Sequence, residues 1–291
     1  MFVNPTHLQV AIAQIDCVLG DVRANADKHI EYIERARTEG AELLLFPELS
    51  LTGYRLGADI IKVALGRNDP LITELAEAGR GMTVVLGLVE EGPAAQYYNS
   101  AVILRDGGVA FQHRKLNLPT YANLEEGKLF AQGSFVDVLR DGSNWTLATL
   151  ICADLWNPAL VHLAMVSGAT LLLAPINSAT DASEFSNGRS WNLAVNFYAM
   201  MYGMPVMMAN RIGEEFGARY WGGSRILDPF GKVLAEAGDE ETLIHATLDY
   251  DDVRRARFAL PTVRDSNINL VHREMGRLQA VVGVPEFVRN E

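Results

Sequence analysis

Cysteine is scarce in this chain of 291 residues, where Cys17 and Cys152 are the only two. Two cysteines cannot build the disulfide network that stabilises small secreted domains, and they are typical of a reducing compartment. Long apolar runs are missing as well: no stretch reaches the roughly eighteen residues of a transmembrane helix, and no signal-peptide core is present. The sequence therefore predicts a soluble, cytoplasmic protein.

Clustered positive charge and metal-binding motifs are also absent. The chain has 25 Lys and Arg against 36 Asp and Glu, a formal net charge of -11 that is spread along its whole length. This charge argues against nucleic acid and membrane surfaces as partners, and it favours a small neutral or cationic substrate. The six His residues form no His-x-His or His-Glu-x-x-His spacing, so neither a metal nor a cofactor is expected.

No Pro/Ser-rich linker, internal repeat or low-complexity tract divides the chain. Hydrophobic residues make up 49% and charged residues 21% of the sequence, which is typical of a globular protein with a large core. We therefore predict one domain over residues 1–291, ending in an irregular C-terminal arm from about residue 258.

The sequence does contain a strand-to-helix unit around Cys152. Residues 147–152 are uncharged and mostly aliphatic or β-branched, which is typical of a strand buried on both faces. Asn157 is a good N-cap and Pro158 a good first helical residue, so a helix is predicted over 159–167. Cys152 then lies at the carboxyl end of the strand, where open α/β sheets bind ligands. It is a candidate nucleophile, or alternatively a small buried apolar side chain.

The rest of the chain alternates predicted strands and helices, which favours an α/β fold. Strand 8–14, a helix ending near Gly40 and strand 43–46 form a β-α-β unit, which implies a right-handed crossover between parallel strands. Residues 97–104 and 109–113 form a hairpin, so antiparallel pairing enters the same sheet. Further strands are predicted at 83–89, 135–139, 170–174, 206–209, 220–227, 233–236 and 243–248, and further helices at 69–79, up to Tyr202 and directly after Asp249.

Two other polar residues occupy positions similar to that of Cys152. Glu48 follows the buried strand 43–46, and burial there would raise its pKa towards that of a usable base. Lys115 follows the second hairpin strand, and a lysine at the mouth of a site can donate to an oxyanion or activate a thiol. Alternatively, Glu48 is a solvated loop residue and Lys115 is a surface side chain.

Three motifs contain these candidate residues, and shorter motifs flank them. The three are Pro47-Glu48-Leu-Ser-Leu-Thr-Gly53-Tyr54, His113-Arg-Lys115-Leu-Asn-Leu-Pro119 and Leu150-Ile-Cys152-Ala-Asp154-Leu-Trp156. The flanking motifs include Ala13-Gln14, Tyr98-Asn99-Ser100, Asn210-Arg211 and Asp228-Pro-Phe-Gly231. In this order they resemble the nitrilase superfamily of carbon–nitrogen hydrolases. The resemblance implies a four-layer αββα sandwich, with subunits that pair through the helices covering the sheets to form a homodimer or a higher homo-oligomer.

The resemblance also implies roles for individual residues. Glu48 would be the general base, Lys115 the oxyanion stabiliser and Cys152 the nucleophile. A second active-site glutamate is expected on the loop that follows the lysine. Glu126 is its better match, and the adjacent Glu125 is the alternative.

Residues around Cys152 indicate the substrate class. Nitrilases of the superfamily usually have Trp-Glu after the cysteine, whereas this chain has Ala153-Asp154, which favours an amide over a nitrile. The Cys-x-Asp-x-Trp pattern, the run from Lys115 to Tyr121 and Asn177-Ser178 resemble the glutaminase domain of glutamine-dependent NAD synthetases. A small carboxamide such as glutamine or another ω-amide is therefore expected, with N-carbamoyl amides and nitriles as alternatives.

The resemblance further predicts the lining of the pocket and the fate of the ammonia. Because the sequence shows no synthetase domain, ammonia would be released or passed to another protein. The residues expected to contact substrate are Tyr54, Tyr121, Ala153, Asp154, Trp156 and Asn177.

Two other interpretations compete with this one. A papain-like Cys-His pair needs a histidine beside Cys152, but His162 lies ten residues further on, along the following helix, and His113 is expected to be a spectator near Lys115. A non-catalytic scaffold with the same fold would be expected to lack a member of the Glu-Lys-Cys set, and all three are present.

Overall fold

The computed structural model describes residues 6–121, 124–180 and 187–282, which form two sheets flanked by helices. The strands are β1 (His7–Gln14), β2 (Leu43–Leu45), β3 (Thr83–Glu91), β4 (Tyr97–Arg105), β5 (Gly108–Arg114), β6 (Val138–Leu139), β7 (Leu147–Thr149), β8 (Leu171–Pro175), β9 (Val206–Ala209), β10 (Ile212–Glu215), β11 (Ala218–Trp221), β12 (Arg225–Leu227), β13 (Val233–Glu236) and β14 (Thr242–Asp249). The α-helices are α1 (Val22–Thr38), α2 (Ile60–Val63), α3 (Pro70–Ala78), α4 (Glu126–Leu129), α5 (Pro158–Val166), α6 (Asn187–Tyr202), α7 (Tyr250–Ala259) and α8 (Ile268–Val282).

The first sheet is built on the predicted β-α-β unit. β1 and β2 run parallel, and α1 connects them after an N-cap in which the Asp21 side chain accepts the backbone N–H of Ala24. β3 continues the parallel pairing, while β4, β5 and β14 pair antiparallel with their neighbours. The strand order is β14-β1-β2-β3-β4-β5, which confirms the predicted mixture of parallel and antiparallel strands.

The second sheet positions Cys152. Its order is β13-β12-β9-β8-β7-β6, with β7, β8 and β9 parallel at its centre. β7 leads to Cys152, and α5 then begins at Pro158 with the Asn157 side chain accepting the N–H of Ala159. The predicted connection and capped helix are confirmed, whereas the strand is shorter than the predicted 147–152 and ends at Thr149.

Apolar side chains separate the layers of the fold. Val10, Leu45 and Ile103 of the first sheet pack with Leu147 and Leu173 of the second in a core between the sheets. A second core joins the outer face of the first sheet to α1 and α3, and a third joins the outer face of the second sheet to α5 and α6. This arrangement is the predicted four-layer αββα sandwich.

The prediction of one strand over 220–227 is wrong. β11 ends at Trp221 and pairs with β10 in a separate hairpin, whereas β12 belongs to the second sheet. Gly222 and Gly223 lie between them with φ values of +67° and +65°, a conformation that interrupts an extended strand. The predicted strand 135–139 is also too long, since only its last two residues pair and Phe135 is 81% exposed.

The C-terminal arm is not irregular throughout, because residues 268–282 form α8. Val271, Met275 and Leu278 recur at helical spacing, yet all three are exposed, so this helix lies outside the cores. Among the described residues, no helix is both long and apolar enough to cross a membrane.

Candidate active site

Cys152 lies three residues after the end of the second-sheet strand β7, at the first position of a short 3-10 helix, Cys152–Trp156. Its φ of +43° falls in the left-handed region, a strain of about 1–3 kcal/mol for a non-glycine residue that is characteristic of functional sites. Cys152 is a free cysteine, and the residue is partly exposed. Burial and the charge of Glu48 raise the pKa of this thiol, while Lys115 and the backbone N–H of Asn177 act to lower it.

Glu48 lies on the loop after β2 and is 1% exposed. Its Oε1 accepts hydrogen bonds from Lys115 Nζ and from Asn99 Nδ2, both at 2.7 Å. Burial raises the pKa of Glu48 to about 7, against the opposing effect of the Lys115 charge and with a further increase from Glu126. A carboxylate with this pKa can both accept and return a proton near neutral pH.

Gly87 of β3 allows the Glu48 loop to lie this close to the sheet. A Cβ atom at position 87 would be 2.2 Å from the backbone nitrogen of Leu49 and 2.9 Å from the carbonyl carbon of Glu48. No side chain fits at these distances, so a glycine in the middle of a strand marks the close approach of another backbone segment.

Lys115 follows β5 and is 1% exposed. Its Nζ donates to Oε1 of Glu48 and to Oε1 of Glu126, each at 2.7 Å. Burial acts to lower the pKa of Lys115, but the negative charges of Glu126 and Glu48 outweigh it and raise the pKa well above its usual value. The ammonium group therefore stays charged between two carboxylates.

The two adjacent glutamates of the loop occupy different environments. Glu126 is the first residue of α4 and 3% exposed, and its Oε1 accepts the Tyr54 hydroxyl at 2.5 Å in addition to Lys115 Nζ. Glu125 is exposed and forms an ion pair with Lys128 at 2.6 Å. Of the two candidates, Glu126 is the one that the fold brings to Glu48 and Lys115.

Asp154 is placed differently from the expected substrate contact. Its side chain is fully buried, and Oδ1 accepts the N–H groups of Leu116 and Asn117 at 2.9 and 2.7 Å. Oδ2 accepts the N–H of Ile151 at 3.0 Å and lies 2.9 Å from His113 Nε2. Protein donors occupy both oxygens, so Asp154 connects the Lys115 segment to the Cys152 turn instead of facing a ligand.

The other predicted pocket residues lie around the same cluster. Asn177 is 7% exposed and donates from Nδ2 to the Glu48 carbonyl at 3.1 Å. Tyr121 is 59% exposed, and burial of part of its ring, followed by the charge of nearby Cys152, raises its pKa. Trp156 packs on Trp191 with ring centroids 4.3 Å apart.

Ala153 is 5% exposed, directly follows Cys152 and accepts the Asn117 side chain at its carbonyl at 3.2 Å. Four buried oxygens in this region have no hydrogen-bond partner among the described residues. They are Glu48 Oε2, Glu126 Oε2, Asn99 Oδ1 and Asn177 Oδ1. Buried acceptors are usually paired, so four unpaired ones in one region are suited to a ligand that brings N–H donors.

Neither histidine forms the alternative Cys-His pair in this arrangement. His162 interacts with the Tyr202 hydroxyl at 3.4 Å and with Ser266 Oγ at 3.2 Å, and His113 interacts with Asp154. Across the three described ranges, no group of three His, Cys, Asp or Glu side chains could hold a metal ion.

Sequence reasoning gave no individual role to Asn99, Gly87 or Glu215. Asn99 stood only within a flanking motif, and its contact with Glu48 links residues 51 positions apart. A glycine inside the apolar strand β3 was the available signal for Gly87. Glu215 had no signal, because the hairpin that carries it was not predicted.

Comparison with known proteins tests the family assignment. The family model for carbon–nitrogen hydrolases matches residues 9–258. The chain belongs to the carbon–nitrogen hydrolase family. The family predicted from the three motifs is thus confirmed, and the match ends where the C-terminal arm was predicted to begin.

Two relatives and one crystal structure show the range of this hydrolase family. The glutamine-dependent NAD(+) synthetase of Thermotoga maritima is 31% identical over 265 residues, covering 88% of this chain but 45% of the synthetase. The chain therefore spans less than half the length of that relative. An (R)-stereoselective amidase from a Pseudomonas species is 28% identical over 288 residues, covering 96% of this chain and 100% of the amidase. The crystal structure of an amidase from a Nesterenkonia species aligns with a TM-score of 0.78 and 28% identity, covering 94% and 98% of the two chains.

Proposed function

We propose that this hydrolase cleaves a small carboxamide through a thioester on Cys152 and releases ammonia. The observation that carries the proposal is the buried ion cluster beside the cysteine, in which Lys115 Nζ lies 2.7 Å from both Glu48 and Glu126. An amide carbonyl is a poor electrophile, so its cleavage needs a nucleophile, a base and a donor for the carbonyl oxygen. The cluster supports one residue for each of these roles.

In the proposed acylation step, Glu48 accepts the thiol proton and the sulfur of Cys152 attacks the amide carbon. The negative charge that develops on the carbonyl oxygen is stabilised by Lys115 Nζ and the backbone N–H of Ala153. Glu48 then gives the proton to the amide nitrogen as the C–N bond breaks. Ammonia leaves and the acyl group remains on sulfur.

Deacylation uses the same base. Glu48 takes a proton from a water molecule, whose oxygen attacks the thioester carbon. The C–S bond breaks, the proton returns to the thiolate of Cys152, and a carboxylic acid is released. In this scheme Glu126 holds Lys115 and the departing nitrogen.

The unpaired buried oxygens support a primary amide over a nitrile. A carboxamide NH2 group supplies two N–H donors, whereas a nitrile nitrogen supplies none. Glu48 Oε2, Glu126 Oε2 and Asn177 Oδ1 are the acceptors that such a group would find. Partial similarity to a glutamine-dependent synthetase adds glutamine to the substrates worth testing.

Ammonia release from a panel of small nitrogen compounds tests the proposal. The panel contains glutamine, short ω-amides, N-carbamoyl amino acids and a nitrile, each assayed with and without a thiol-blocking reagent. We expect ammonia from at least one carboxamide, with release lost on blocking. Turnover of the nitrile alone would overturn the amide assignment, and absence of any turnover would favour a non-catalytic scaffold.

A further inference from the structure

Glu215 is a buried carboxylate at the end of β10, outside the Glu-Lys-Cys cluster and 4% exposed. Its Oε1 accepts Arg211 Nη1 and the backbone N–H of Tyr54, the latter at 3.3 Å. Its Oε2 accepts the backbone N–H of Arg55 at 2.9 Å and the Tyr220 hydroxyl at 3.2 Å. One side chain therefore connects a guanidinium, a phenol and two consecutive peptide groups of the Tyr54 loop.

The side chain of Tyr54 extends from this loop to the proposed catalytic cluster. Its hydroxyl donates to Glu126 Oε1 at 2.5 Å, and the same oxygen accepts Lys115 Nζ at 2.7 Å. Burial and the charge of Glu126 raise the pKa of Tyr54 well above its usual value, so the hydroxyl keeps its proton and remains a donor. Continuous contacts thus run from Glu215 through Tyr54 to Glu126.

The outer side of this loop is open. A cavity of about 500 Å³ lies there, lined by Arg55 and Leu56 of the loop and by Leu19 and Phe216 on neighbouring segments. The cavity borders residues 55–56, and the carboxylate of Glu215 accepts the backbone N–H groups of Tyr54 and Arg55 at this part of the loop. Gly53 has a φ of +81°, and a Cβ there would lie 2.9 Å from Leu19 Cα and 3.2 Å from Glu215 Oε1, so a glycine allows the loop to pass between these two residues.

We propose that Glu215 is a positioning residue for C–N bond cleavage, acting through Tyr54 to hold Glu126 and Lys115 in place. A carboxylate suits this position because its two oxygens accept four donors, whereas a glutamine would offer one oxygen and an NH2 group facing other donors. The buried Arg211 guanidinium also requires a nearby negative charge. This inference rests on the proposed function, since it assumes that the Lys115 cluster receives an amide.

Alkylation of Cys152 by iodoacetamide tests the inference before the natural substrate is known. The thiolate displaces iodide and keeps the carboxamidomethyl group, so the reagent presents an amide to the same site. Methyl methanethiolsulfonate reacts with the same thiol but carries no amide. The rate constant for iodoacetamide divided by that for methyl methanethiolsulfonate therefore measures how well the site positions an amide. Cys17 does not interfere, because it is buried and only 5% exposed, whereas Cys152 is partly exposed.

We expect Glu215→Gln and Tyr54→Phe each to lower this ratio about tenfold. Each change removes roughly one hydrogen bond from the contacts that hold Glu126 and Lys115 in place. The double variant should be no lower than either single variant, because both changes interrupt the same route. Asp16→Asn is the matched control: it also removes an ion pair with Arg211, at 2.8 Å, but the Asp16 side chain is half-exposed, and its carboxylate accepts from Arg211 and not from the backbone of Tyr54 or Arg55. Its ratio should stay within about twofold of wild type.

Three results would overturn the inference. The first is a Glu215→Gln protein with reduced thermal stability but an unchanged ratio, and the second is additive losses in the double variant. If Glu215→Gln does not fold, Tyr220→Phe replaces it, because this change removes only one donor to Glu215 Oε2. An unchanged ratio in Tyr220→Phe is the third contradicting result. A wild-type ratio no higher than the ratio measured for a small free thiol would instead contradict the proposed function.

Discussion

His113 Nε2 lies 2.9 Å from Asp154 Oδ2 in a contact that is almost completely shielded from solvent. The two residues come from different sheets, since His113 precedes Lys115 at the end of β5 and Asp154 follows Cys152 after β7. The position of the nucleophile relative to the lysine therefore depends on a carboxylate that does not itself face the substrate.

Asp154→Asn should reduce both stability and activity. The amide NH2 group would face N–H donors and leave at least one of them unpaired, a cost of about 1–3 kcal/mol in a buried site. We expect a lower urea midpoint and at least a tenfold loss of turnover, because the Lys115 and Cys152 segments would separate. Unchanged turnover in a destabilised variant would show that the contact has only a structural role.

Cys152→Ala should abolish turnover while preserving the fold, because it removes the nucleophile and leaves a small residue at the end of a strand. Cys152→Ser should be nearly as inactive, since a carboxylate base is matched to a thiol and poorly to a hydroxyl. Cys17→Ala is the matched control and should retain activity. Ammonia release above about a tenth of wild type in Cys152→Ala would contradict the mechanism, since loss of a nucleophile normally costs many powers of ten.

The two buried glutamates should differ in their effect on acylation. Glu48→Gln should stop thioester formation with a reactive amide or ester, whereas Glu126→Gln should still form the adduct slowly, because the thiol and its base remain. Intact mass measurement distinguishes them, and Glu125→Gln serves as an exposed control. Equal amounts of thioester adduct in wild type and Glu48→Gln would show that the base is a residue other than Glu48.

The same assignment predicts the pH dependence of the reaction. Burial raises the pKa of Glu48 to about 7, so activity should increase as the pH rises through that value and the base loses its proton. Because Glu48, Glu126 and Lys115 are in contact, the measured value belongs to the cluster and not to one residue. A rate of acylation that is constant between pH 6 and 8, roughly one unit on each side, would contradict this role.

Stability should fall in mild acid because of His29. This residue is fully buried between the carbonyl of Asn25 and Ser50 Oγ, and burial lowers its pKa from 6.5 to about 4. Between these values the unfolded chain binds a proton that the folded chain does not, so stability is lost as the pH falls, by up to about 3 kcal/mol. Urea unfolding at several pH values should show a smaller loss of stability in acid for His29→Gln than for wild type. In the exposed control His7→Gln, the dependence of stability on pH should be unchanged. An equal dependence of stability on pH in His29→Gln and wild type would show that His29 does not cause the loss in acid.

We also propose a homodimer formed through the helices that cover the second sheet. Leu163 of α5 and Leu193, Phe197 and Met200 of α6 are between 45% and 64% exposed, and the three on α6 recur at helical spacing, which gives this helix an exposed apolar face. Leu193→Glu should shift the mass in light scattering towards the monomer. Ile61→Glu, at a residue 62% exposed elsewhere on the surface, should not. A monomeric wild type at micromolar concentration would refute the proposal.

The sequence predicted those parts of the site that depend on local signals. Apolar strands with polar residues at their carboxyl ends located Glu48 and Cys152, and the Asn157-Pro158 pair located the start of α5. The choice between Glu125 and Glu126 could not be made from sequence, because it depends on which side chain α4 turns towards Lys115. The role of Asp154 was missed for the same reason, since its partners lie up to 41 residues away along the chain.

The contact between Gly87 and the Glu48 loop has a consequence for exchanging segments among members of this family. The glycine at position 87 has no Cβ, which lets the Glu48 loop lie close to the sheet. Gly87 belongs to β3, which is distant from the loop in sequence and contacts it only in the folded structure. A graft that transfers the glutamate loop onto a scaffold with a larger residue at this strand position would bring the carboxylate but misplace it. The loop and the glycine beneath it therefore form one transplantable unit, although almost forty residues separate them in the chain.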